Sequence, residues 1–324
     1  MKSSVPPVKQ IAMTQIMPSR EDTFPDLTTA QAFSFYQSVR HRLPQAGFPD
    51  RSEFAGHLGD IADNFDVFVF DAYGVLNKGA DAVPGAAARI KALQEAGKKT
   101  FVLTNGASLT AQKTQQKFER MQMPFQLEEI VPSRLAAERA LLAHTEISTW
   151  GVVSALPLPE DELPVRFRKL GGDPDVYDAV DGFLFLSAVG YTPENYNYLR
   201  HTLANNARPL IVANPDVVAP QSGFFSLEPG FFSHSLADEL GISPEFHGKP
   251  FRSVFEMVME RLPDRIDPSR IAMMGDTLHT DILGAAAFGW QTVLVTDHGL
   301  FAGEDAGAYI RESGIVPDFI IPTI

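Results

Sequence analysis

The chain has 324 residues, of which 44% are hydrophobic, so it is long enough for two domains with a sizeable core. Its formal net charge of −13 argues against a general attraction to nucleic acid or to an anionic membrane surface. It has no cysteine, which excludes disulfides and thiolate metal sites. No apolar run approaches the roughly 18 residues that span a bilayer, and the N-terminus lacks the apolar core of a signal peptide. We therefore expect a cytoplasmic protein with no nucleic-acid or membrane partner.

The first 60 residues carry no recognisable chemistry. Residues 1–25 are polar and contain several prolines, which predicts an extended arm. Residues 27–43 have apolar side chains at helical spacing, and Thr28 or Thr29 can cap the helix that this spacing predicts. We interpret residues 1–60 as an N-terminal extension that packs on the core of the protein.

From residue 67 onward, short apolar runs alternate with amphipathic segments. The runs predict buried strands at 67–70, 100–103, 130–131, 271–275, 292–295 and 319–321. The segments between them predict helices at 84–96, 109–121, 133–142, 251–261 and 282–288. Such an alternation is typical of right-handed crossovers and a parallel sheet, and we expect the strand at 319–321 to close that sheet.

The pattern changes between residues 147 and 245. Prolines and a Gly-Gly-Asp-Pro run indicate loops between 157 and 174. Strands at 182–186 and 209–213 and helices at 193–204 and 231–240 then predict a second, smaller α/β unit. The predicted fold class is α/β, with a doubly wound, Rossmann-like parallel-sheet core at 61–145 and 246–324. An α/β cap domain at 146–245 is inserted into this core.

Polar side chains follow the predicted core strands at the points where they end. Asp71 and Asp276 are carboxylates at such ends, and they repel each other unless a cation lies between them. Oxygen ligands with room for water suggest Mg²⁺. Lys249 adds a positive charge, Thr104 adds a hydroxyl, and the turn through Gly106 offers backbone N–H groups at a helix N-terminus. Together these groups would hold a phosphoryl group against the Asp71 carboxylate, which can attack phosphorus.

Each of these residues, taken alone, also has an ordinary structural interpretation. A lysine before a proline, such as Lys249, is usually a solvated loop residue, and Asp276 with Asp281 resembles a helix cap followed by a surface acid. His279 lies near the candidate site, but the other histidines have no ligand spacing, so zinc chemistry is not expected. The ordered set of polar groups, each at its own strand end, is what favours a site.

The same residues resemble the motifs of a known family. The chain, from about residue 64 to its end, is similar to the haloacid dehalogenase-like (HAD) hydrolase superfamily, and specifically to its NagD-like class IIA phosphatases, whose cap is inserted between the second and third motifs. The matching motifs are DAYGVL at 71–76, LTNG at 103–106, GKP at 248–250 and GDTLHTDI at 275–282, with ANPD at 213–216 in the cap. The fourth motif is the most specific of these.

The resemblance implies an activity and a set of site residues. It implies that Asp71 is the nucleophile, that Mg²⁺ is held by Asp71, Asp276 and the backbone carbonyl of Tyr73, and that Asp281 supports the metal and Lys249. It further implies phosphate contacts from Thr104, Asn105, Gly106 and Lys249 and substrate contacts from Asn214 and Asp216 in the cap. The implied partner is a small phosphorylated metabolite, and a homodimer is considered as the assembly.

One position departs from the family pattern. The phosphatases of the family carry a second aspartate two residues after the nucleophile, and this chain has Tyr73 there. A phenol with a pKa near 10 is a poor general base at neutral pH, and losing general acid–base help typically costs about 10²–10⁴ in rate. A metal-independent dehalogenase and a slow or non-catalytic protein that binds a phosphorylated ligand are therefore alternatives to the phosphatase. Asp276 and Asp281 in a phosphatase-type fourth motif argue against the dehalogenase.

Overall fold

The computed structural model describes residues 23–155, 157–263 and 266–324. Most of the predicted arm, residues 1–22, lies outside these ranges. Within them the α-helices are α1 (Thr29–Ser38), α2 (Ala86–Glu95), α3 (Ala111–Arg120), α4 (Ser133–Ala143), α5 (Pro174–Asp178), α6 (Pro193–Asn205), α7 (Pro229–Leu240), α8 (Arg252–Met259), α9 (Leu283–Phe288) and α10 (Ala306–Ser313). The strands there are β1 (Glu53–Phe54), β2 (Val67–Phe70), β3 (Asn77–Lys78), β4 (Asp81–Ala82), β5 (Lys99–Thr104), β6 (Ile130–Pro132), β7 (Trp150–Val153), β8 (Phe167–Lys169), β9 (Gly182–Phe185), β10 (Leu210–Val212), β11 (Val218–Pro220), β12 (Phe225–Leu227), β13 (Glu245–Phe246), β14 (Ile271–Gly275), β15 (Gln291–Val295) and β16 (Phe319–Ile321).

The larger sheet has β2 at its centre. Its strand order in the described residues is β1-β16-β15-β14-β2-β5-β6, and every pair is parallel. Val69 of β2 lies opposite Met273 of β14 on one side and Phe101 of β5 on the other. The carboxyl ends of β2, β5 and β14 therefore meet at one edge of the sheet, which confirms the predicted fold class.

Helices cover both faces of this sheet. Phe68 and Phe70 pack in one apolar cluster with Phe118 of α3, whereas Val67 and Val69 pack in a second cluster with α8 and α9. Because successive side chains of a strand point to opposite faces, a strand covered on both faces is apolar at every position. This explains why all residues of β2 are apolar in the sequence.

The prediction that 319–321 closes the sheet was wrong. β16 is an inner strand, and the edge is formed by β1, which pairs with it through Glu53 opposite Phe319. β1 has only two residues, both exposed, and so carries none of the apolar patterning that identifies a strand in a sequence.

A second parallel sheet is inserted between β6 and β14. Its order among the described strands is β13-β10-β9-β7-β8. Loops were predicted between 157 and 174, yet β8 lies within this range, and neither β7 before it nor the short helix α5 at its end was predicted. The apolar side chains of β7 are interrupted by Gly151, where an added Cβ would lie only 2.9 Å from a Val180 methyl. β8 is a partly exposed strand at the edge of the sheet. Tertiary packing rather than sequence patterning decides both strands.

Helix α1 touches both α/β units. Thr28 caps it: the Thr28 hydroxyl accepts from the Gln31 N–H at 3.3 Å, and the Gln31 side chain accepts from the Thr28 N–H at 2.9 Å. Phe35 packs against Phe231 of α7 with ring centroids 4.8 Å apart, and Phe33 packs against Tyr309 of α10 at 4.9 Å. No helix in the described ranges is long and apolar enough to cross a membrane.

Candidate active site

Lys249 links two aspartates at the carboxyl edge of the larger sheet. Its ammonium nitrogen lies 2.5 Å from Asp71 Oδ1 and 2.7 Å from Asp281 Oδ1. Asp71 directly follows β2, Asp281 lies in the π-helical turn Leu278–Ile282 after β14, and Lys249 lies in the loop before α8. The lysine is only 1% exposed, so water screens its interaction with these neighbours little. Three separate segments thus converge on one ammonium group.

Asp276 is held beside this pair by the backbone around it. Its Oδ2 accepts from the Leu300 N–H at 2.7 Å, and its Oδ1 accepts from the Thr277 hydroxyl at 3.1 Å. Gly74 has φ +78°, and an added Cβ there would lie 2.6 Å from Asp276 Oδ2. An added Cβ on Gly299 would lie at 2.0 Å from the same oxygen. Glycine is required at both positions because the backbone passes too close to the carboxylate for a side chain.

The electrostatics of the cluster follow from its burial. Burial raises the pKa of Asp71 to about 6 although the Lys249 ammonium opposes the shift. The pKa of Asp276 is raised well above its usual value, first by burial and then by the charges of Asp281 and Asp71. Burial alone would lower the pKa of Lys249, but the carboxylates of Asp281, Asp71 and Asp216 together raise it. The lysine therefore stays charged, and the carboxylates compete for positive charge.

The donor set fits a hard divalent cation. One carboxylate oxygen from each of Asp71, Asp276 and Asp281 lies within 4.8 Å of the others. Ligands at about 2.1 Å from one Mg²⁺ are at most about 4.2 Å apart, so small side-chain adjustments complete such a site. When ionised, three carboxylates with one ammonium leave two uncompensated negative charges, which one divalent ion neutralises. All the side-chain donors are oxygens, the type that Mg²⁺ prefers.

The polar residues after β5 form hydrogen bonds within the protein. Thr104 Oγ1 accepts from the Gly106 N–H at 3.1 Å. The Asn105 side chain accepts from the Lys249 N–H at 2.7 Å and donates to the Lys249 carbonyl at 2.9 Å. Its amide also donates to Asp216 Oδ1 at 2.8 Å. Asn105 therefore fixes the backbone of Lys249 and connects it to the second unit, in addition to the phosphate contact that the resemblance implies.

Residues of the second unit form a hydrogen-bonded group above the aspartates. Asn214 Oδ1 accepts from the Asp216 N–H at 3.0 Å, and Asn214 Nδ2 donates to Glu228 Oε2 at 3.0 Å. The Ser226 hydroxyl donates to Glu228 Oε1 at 2.7 Å. Asn214 and Asp216, predicted from the sequence, thus lie together with Glu228, which was not.

A cavity of about 440 Å³ separates the two units at this point. Its floor includes Tyr73 and Gly106 from the larger unit, and its other walls come mostly from the second unit. Lining residues with polar side chains are Tyr73, Ser108, Ser187, Asn214, Asp216, Gln221, Ser226 and Glu228. The cavity is large enough for a small molecule and offers it hydroxyl, amide and carboxyl groups.

Tyr73 lies between this cavity and a half-buried lysine. The Lys117 ammonium of α3 stands 4.4 Å from the centre of the Tyr73 ring and donates to Asn77 Oδ1 at 3.1 Å. Burial lowers the pKa of Lys117 to about 8, and the charge of Asp71 opposes this shift. Burial raises the pKa of the Tyr73 phenol, as do the charges of Glu228 and Asp71. The phenol is therefore even less ionised at neutral pH than an ordinary tyrosine.

Sequence reasoning missed four residues of this region: Lys117, Glu228, Gly299 and Leu300. Gly299 and Leu300 follow β15 in a loop without a motif, and Lys117 is one of several polar residues of α3. Glu228 directly precedes Pro229, the first residue of α7, which marks a helix start but no chemistry. Only Glu228 carried a usable signal, since a carboxyl group between Leu227 and an apolar helix is unusual.

Comparisons with known proteins agree with this arrangement. A family model described as haloacid dehalogenase-like hydrolase matches residues 68–161, and one described as HAD-hydrolase-like matches residues 246–324. Human chronophin is 30% identical over 281 residues, which cover 82% of this chain and 93% of that protein. The chain belongs to the haloacid dehalogenase-like hydrolase family. Within that family it is a hydrolase of the NagD-like class IIA type, which confirms the resemblance drawn from the motifs.

Two further comparisons extend this result. The 4-nitrophenylphosphatase of Schizosaccharomyces pombe is 25% identical over 290 residues, which cover 82% of this chain and 94% of that protein. A solved structure of a possible sugar phosphatase from Cytophaga hutchinsonii superposes with a TM-score of 0.72 at 22% identity, covering 84% of this chain and 98% of that one. The structural match establishes the shared fold of both units.

Proposed function

We propose that the protein is a Mg²⁺-dependent phosphatase that cleaves a small phosphate ester through an aspartyl phosphate on Asp71. The observation that carries this proposal is the convergence of Lys249 on Asp71 and Asp281, with Asp276 beside them, at the carboxyl edge of the larger sheet. The 4-nitrophenylphosphatase of Schizosaccharomyces pombe is similar over more than four fifths of the chain, and its name supports the same class of reaction.

The proposed role of each residue follows from its position in the site. Asp71 attacks phosphorus, and Lys249 orients its carboxylate and attracts the phosphoryl oxygens. Thr104, Asn105 and Gly106 line the phosphoryl position at the end of β5, and Asn214 and Asp216 contact the rest of the substrate. Asp71, Asp276, Asp281 and the Tyr73 backbone carbonyl would hold Mg²⁺. The chemistry that Mg²⁺ supplies when bound is neutralisation of negative charge on the phosphoryl oxygens.

The division of the chain into a core and an inserted cap supports a role for the cap in selecting the substrate. We propose a core at 61–145 and 246–324 and a cap at 146–245, since the five-stranded sheet is built from strands between Trp150 and Phe246. The N-terminal extension at 1–60 joins the two through α1. The small phosphorylated metabolite as partner is part of the proposal, while a homodimer and a cytoplasmic location stay predictions.

A second candidate function is binding of a phosphorylated ligand with slow or no turnover. Tyr73 favours it, because the phenol stands where a phosphatase of this family has a carboxylate and its pKa is raised further by burial. The metal-independent dehalogenase is disfavoured, since Asp276 and Asp281 add two carboxylates to Asp71 around a single ammonium group, an excess of negative charge that a divalent cation compensates.

A panel of phosphate esters assayed with and without Mg²⁺ separates these functions. The phosphatase requires turnover of at least one ester that stops when the metal is chelated. Ligand binding that depends on Mg²⁺ without phosphate release would identify the second candidate. Halide release from a haloacid that persists with chelator would show the dehalogenase instead.

A further inference from the structure

Glu228 is a buried carboxyl group in the wall of the cavity. It lies directly before α7, is 8% exposed, and faces the cavity that Tyr73 also lines. Both of its oxygens accept hydrogen bonds, one from Ser226 and one from Asn214. No lysine, arginine or histidine of the described ranges forms an ion pair with it. A carboxylate in this position is costly to ionise, so structural stability alone does not explain its presence.

The position of Glu228 relative to Tyr73 suggests that Glu228 takes part in proton transfer. The pKa of the Tyr73 phenol is raised first by burial, next by the charge of Glu228 and only then by that of Asp71. Of these two carboxylates, Glu228 therefore has the larger effect on the side chain that occupies the place of the missing acid. Burial raises the pKa of Glu228 itself to about 7, with the Ser226 hydrogen bond opposing the shift. A group with such a pKa both gives and takes protons near neutral pH.

We propose that Glu228 supplies general acid and base catalysis from the second unit, replacing the carboxylate that is absent at position 73. This inference rests on the phosphatase function proposed above. In the first step an Asp71 oxygen bonds to phosphorus, the bond from phosphorus to the leaving oxygen breaks, and that oxygen takes the Glu228 proton. In the second step water bonds to phosphorus and gives a proton to the Glu228 carboxylate. The bond to Asp71 breaks, which releases phosphate and restores both side chains.

The other acids of the cavity fit this task less well. Burial raises the pKa of Asp216 well above its usual value although the charge of Lys249 opposes the shift, but Asp216 Oδ1 is held by the Asn105 amide, which also donates to the Lys249 carbonyl. The Tyr73 phenol has a raised pKa, so it is a weak acid and, at neutral pH, not a base. Glu228 is the carboxyl group of the cavity wall whose side-chain partners, Ser226 and Asn214, both belong to the second unit.

Glu228→Gln is a suitable test because the amide keeps the local hydrogen bonds. The Gln carbonyl can accept from Asn214, and the Ser226 hydroxyl can accept from the new amide while donating to the Ala219 carbonyl, 3.3 Å away. The matched control is Glu239→Gln, which removes a carboxyl group from α7 at a position that contacts Tyr196 and Arg200. Wild type and both variants are assayed with Mg²⁺ on 4-nitrophenyl phosphate and on glycerol phosphate, by rapid quench and at steady state.

The two substrates respond differently if Glu228 is the acid. Nitrophenolate leaves without a proton, so Glu228→Gln should form the aspartyl phosphate from 4-nitrophenyl phosphate at nearly the wild-type rate. The variant should then stall, with a burst of about one nitrophenolate per active site and phosphorylated protein detectable by intact mass. Formation of the intermediate from glycerol phosphate should fall by about 10²–10⁴. The Glu239→Gln control should match wild type.

Three results would overturn the inference. The first is a Glu228→Gln variant with wild-type rates on both substrates. The second is a variant in which only KM rises. The third is a variant in which the reaction rates with both substrates fall equally and no burst is seen. The last two would make Glu228 a binding or structural residue while leaving the phosphatase function intact. If wild type itself releases no phosphate from either ester with Mg²⁺, the proposed function fails, and the inference fails with it for that separate reason.

Discussion

Tyr36 of helix α1 lies flat against His279 of the fourth motif, with ring centroids 5.1 Å apart and planes inclined by 7°. The same tyrosine accepts through its hydroxyl from the buried Val217 N–H of the second unit at 2.9 Å. His279 Nε2 in turn donates to Gln37 Oε1 at 2.7 Å. One helix outside the family motifs therefore connects the turn that carries Asp281 to the loop that carries Asp216.

Tyr36→Phe should weaken this connection without disturbing the stacking. The Val217 N–H would lose its acceptor in a buried position, which costs about 1–3 kcal/mol of unfolding free energy. Urea unfolding measures the difference. Tyr198→Phe is the control, because its hydroxyl donates to Glu194 at the surface, and it should change stability by less than about 0.5 kcal/mol. Equal stabilities of the two variants would argue against α1 as a connecting element.

Asp71→Asn should abolish turnover while the fold survives. The carboxamide is nearly isosteric with the carboxylate but cannot attack phosphorus. Phosphate release should fall below detection, and circular dichroism should be unchanged. The exposed Asp63→Asn variant serves as the control and should keep the wild-type rate. An Asp71→Asn variant that retained most of the activity would contradict the aspartyl-phosphate mechanism.

Asp276→Asn should reduce the affinity for Mg²⁺. In wild type, Mg²⁺ at a hundred times its Kd should raise the unfolding free energy by about 2.7 kcal/mol, because it binds only the folded state. The variant lacks one charged ligand, so the rise in Tm with Mg²⁺ should shrink or vanish at the same concentrations. Thermal unfolding across a Mg²⁺ titration tests this without an activity assay. An undiminished rise would place the cation elsewhere.

Tyr73→Asp should increase the hydrolysis of alkyl phosphates. It restores a carboxyl group beside the leaving oxygen, with a ceiling of about 10²–10⁴ in rate. Lys117, now 4.4 Å from the ring centre, would pair with the new carboxylate and keep it ionised, so the gain should be larger when Lys117→Met is added. The rate ratio between 4-nitrophenyl phosphate and glycerol phosphate is the measurement.

Tyr73→Asp also tests whether Glu228 replaces the acid that is absent at position 73. In the Glu228→Gln background, Tyr73→Asp should recover much of the lost glycerol phosphate hydrolysis. If the ratio of the two substrates is unchanged in every background, Tyr73 does not occupy the place of an absent acid, and the ligand-binding function gains support.

Glu228 should also affect stability as a function of pH. Its folded pKa of about 7 lies above the ordinary value of 4.5, so the folded state binds its proton more tightly than the unfolded state. The stability contributed by the protonated group is full below pH 4.5 and is lost as the pH rises to about 7. The shift corresponds to roughly 3 kcal/mol. The groups that share its cavity and can titrate are Tyr73 and Asp216.

Glu228→Gln does not titrate and should therefore gain stability relative to wild type across this window. The measurement is urea unfolding of both proteins between pH 4.5 and 8 with the metal chelated, and Glu239→Gln is again the control. A stability difference that stays constant over this range would show that burial does not raise the pKa of Glu228.

Much of the larger sheet and of its site could be predicted because the relevant signals are local. β2 and β14 are apolar at every position, and Asp71 and Asp276 follow their last residues directly. A parallel sheet brings such strand ends together whatever the loops between them do. The strands β1, β7 and β8 were missed for the opposite reason. They are short, exposed or interrupted by glycine, so their pairing depends on neighbours distant in the chain.

The family, the order of the motifs and the carboxylates around Lys249 could be identified before folding is considered, since each is encoded within a few consecutive residues. The contacts of Glu228 with the cavity beside Tyr73, of Lys117 with the Tyr73 ring and of α1 with both units become visible only in the folded chain. These contacts connect segments up to 181 residues apart. No periodicity encodes them, because side chains from separate segments become neighbours only when both sheets and the helix between them have packed.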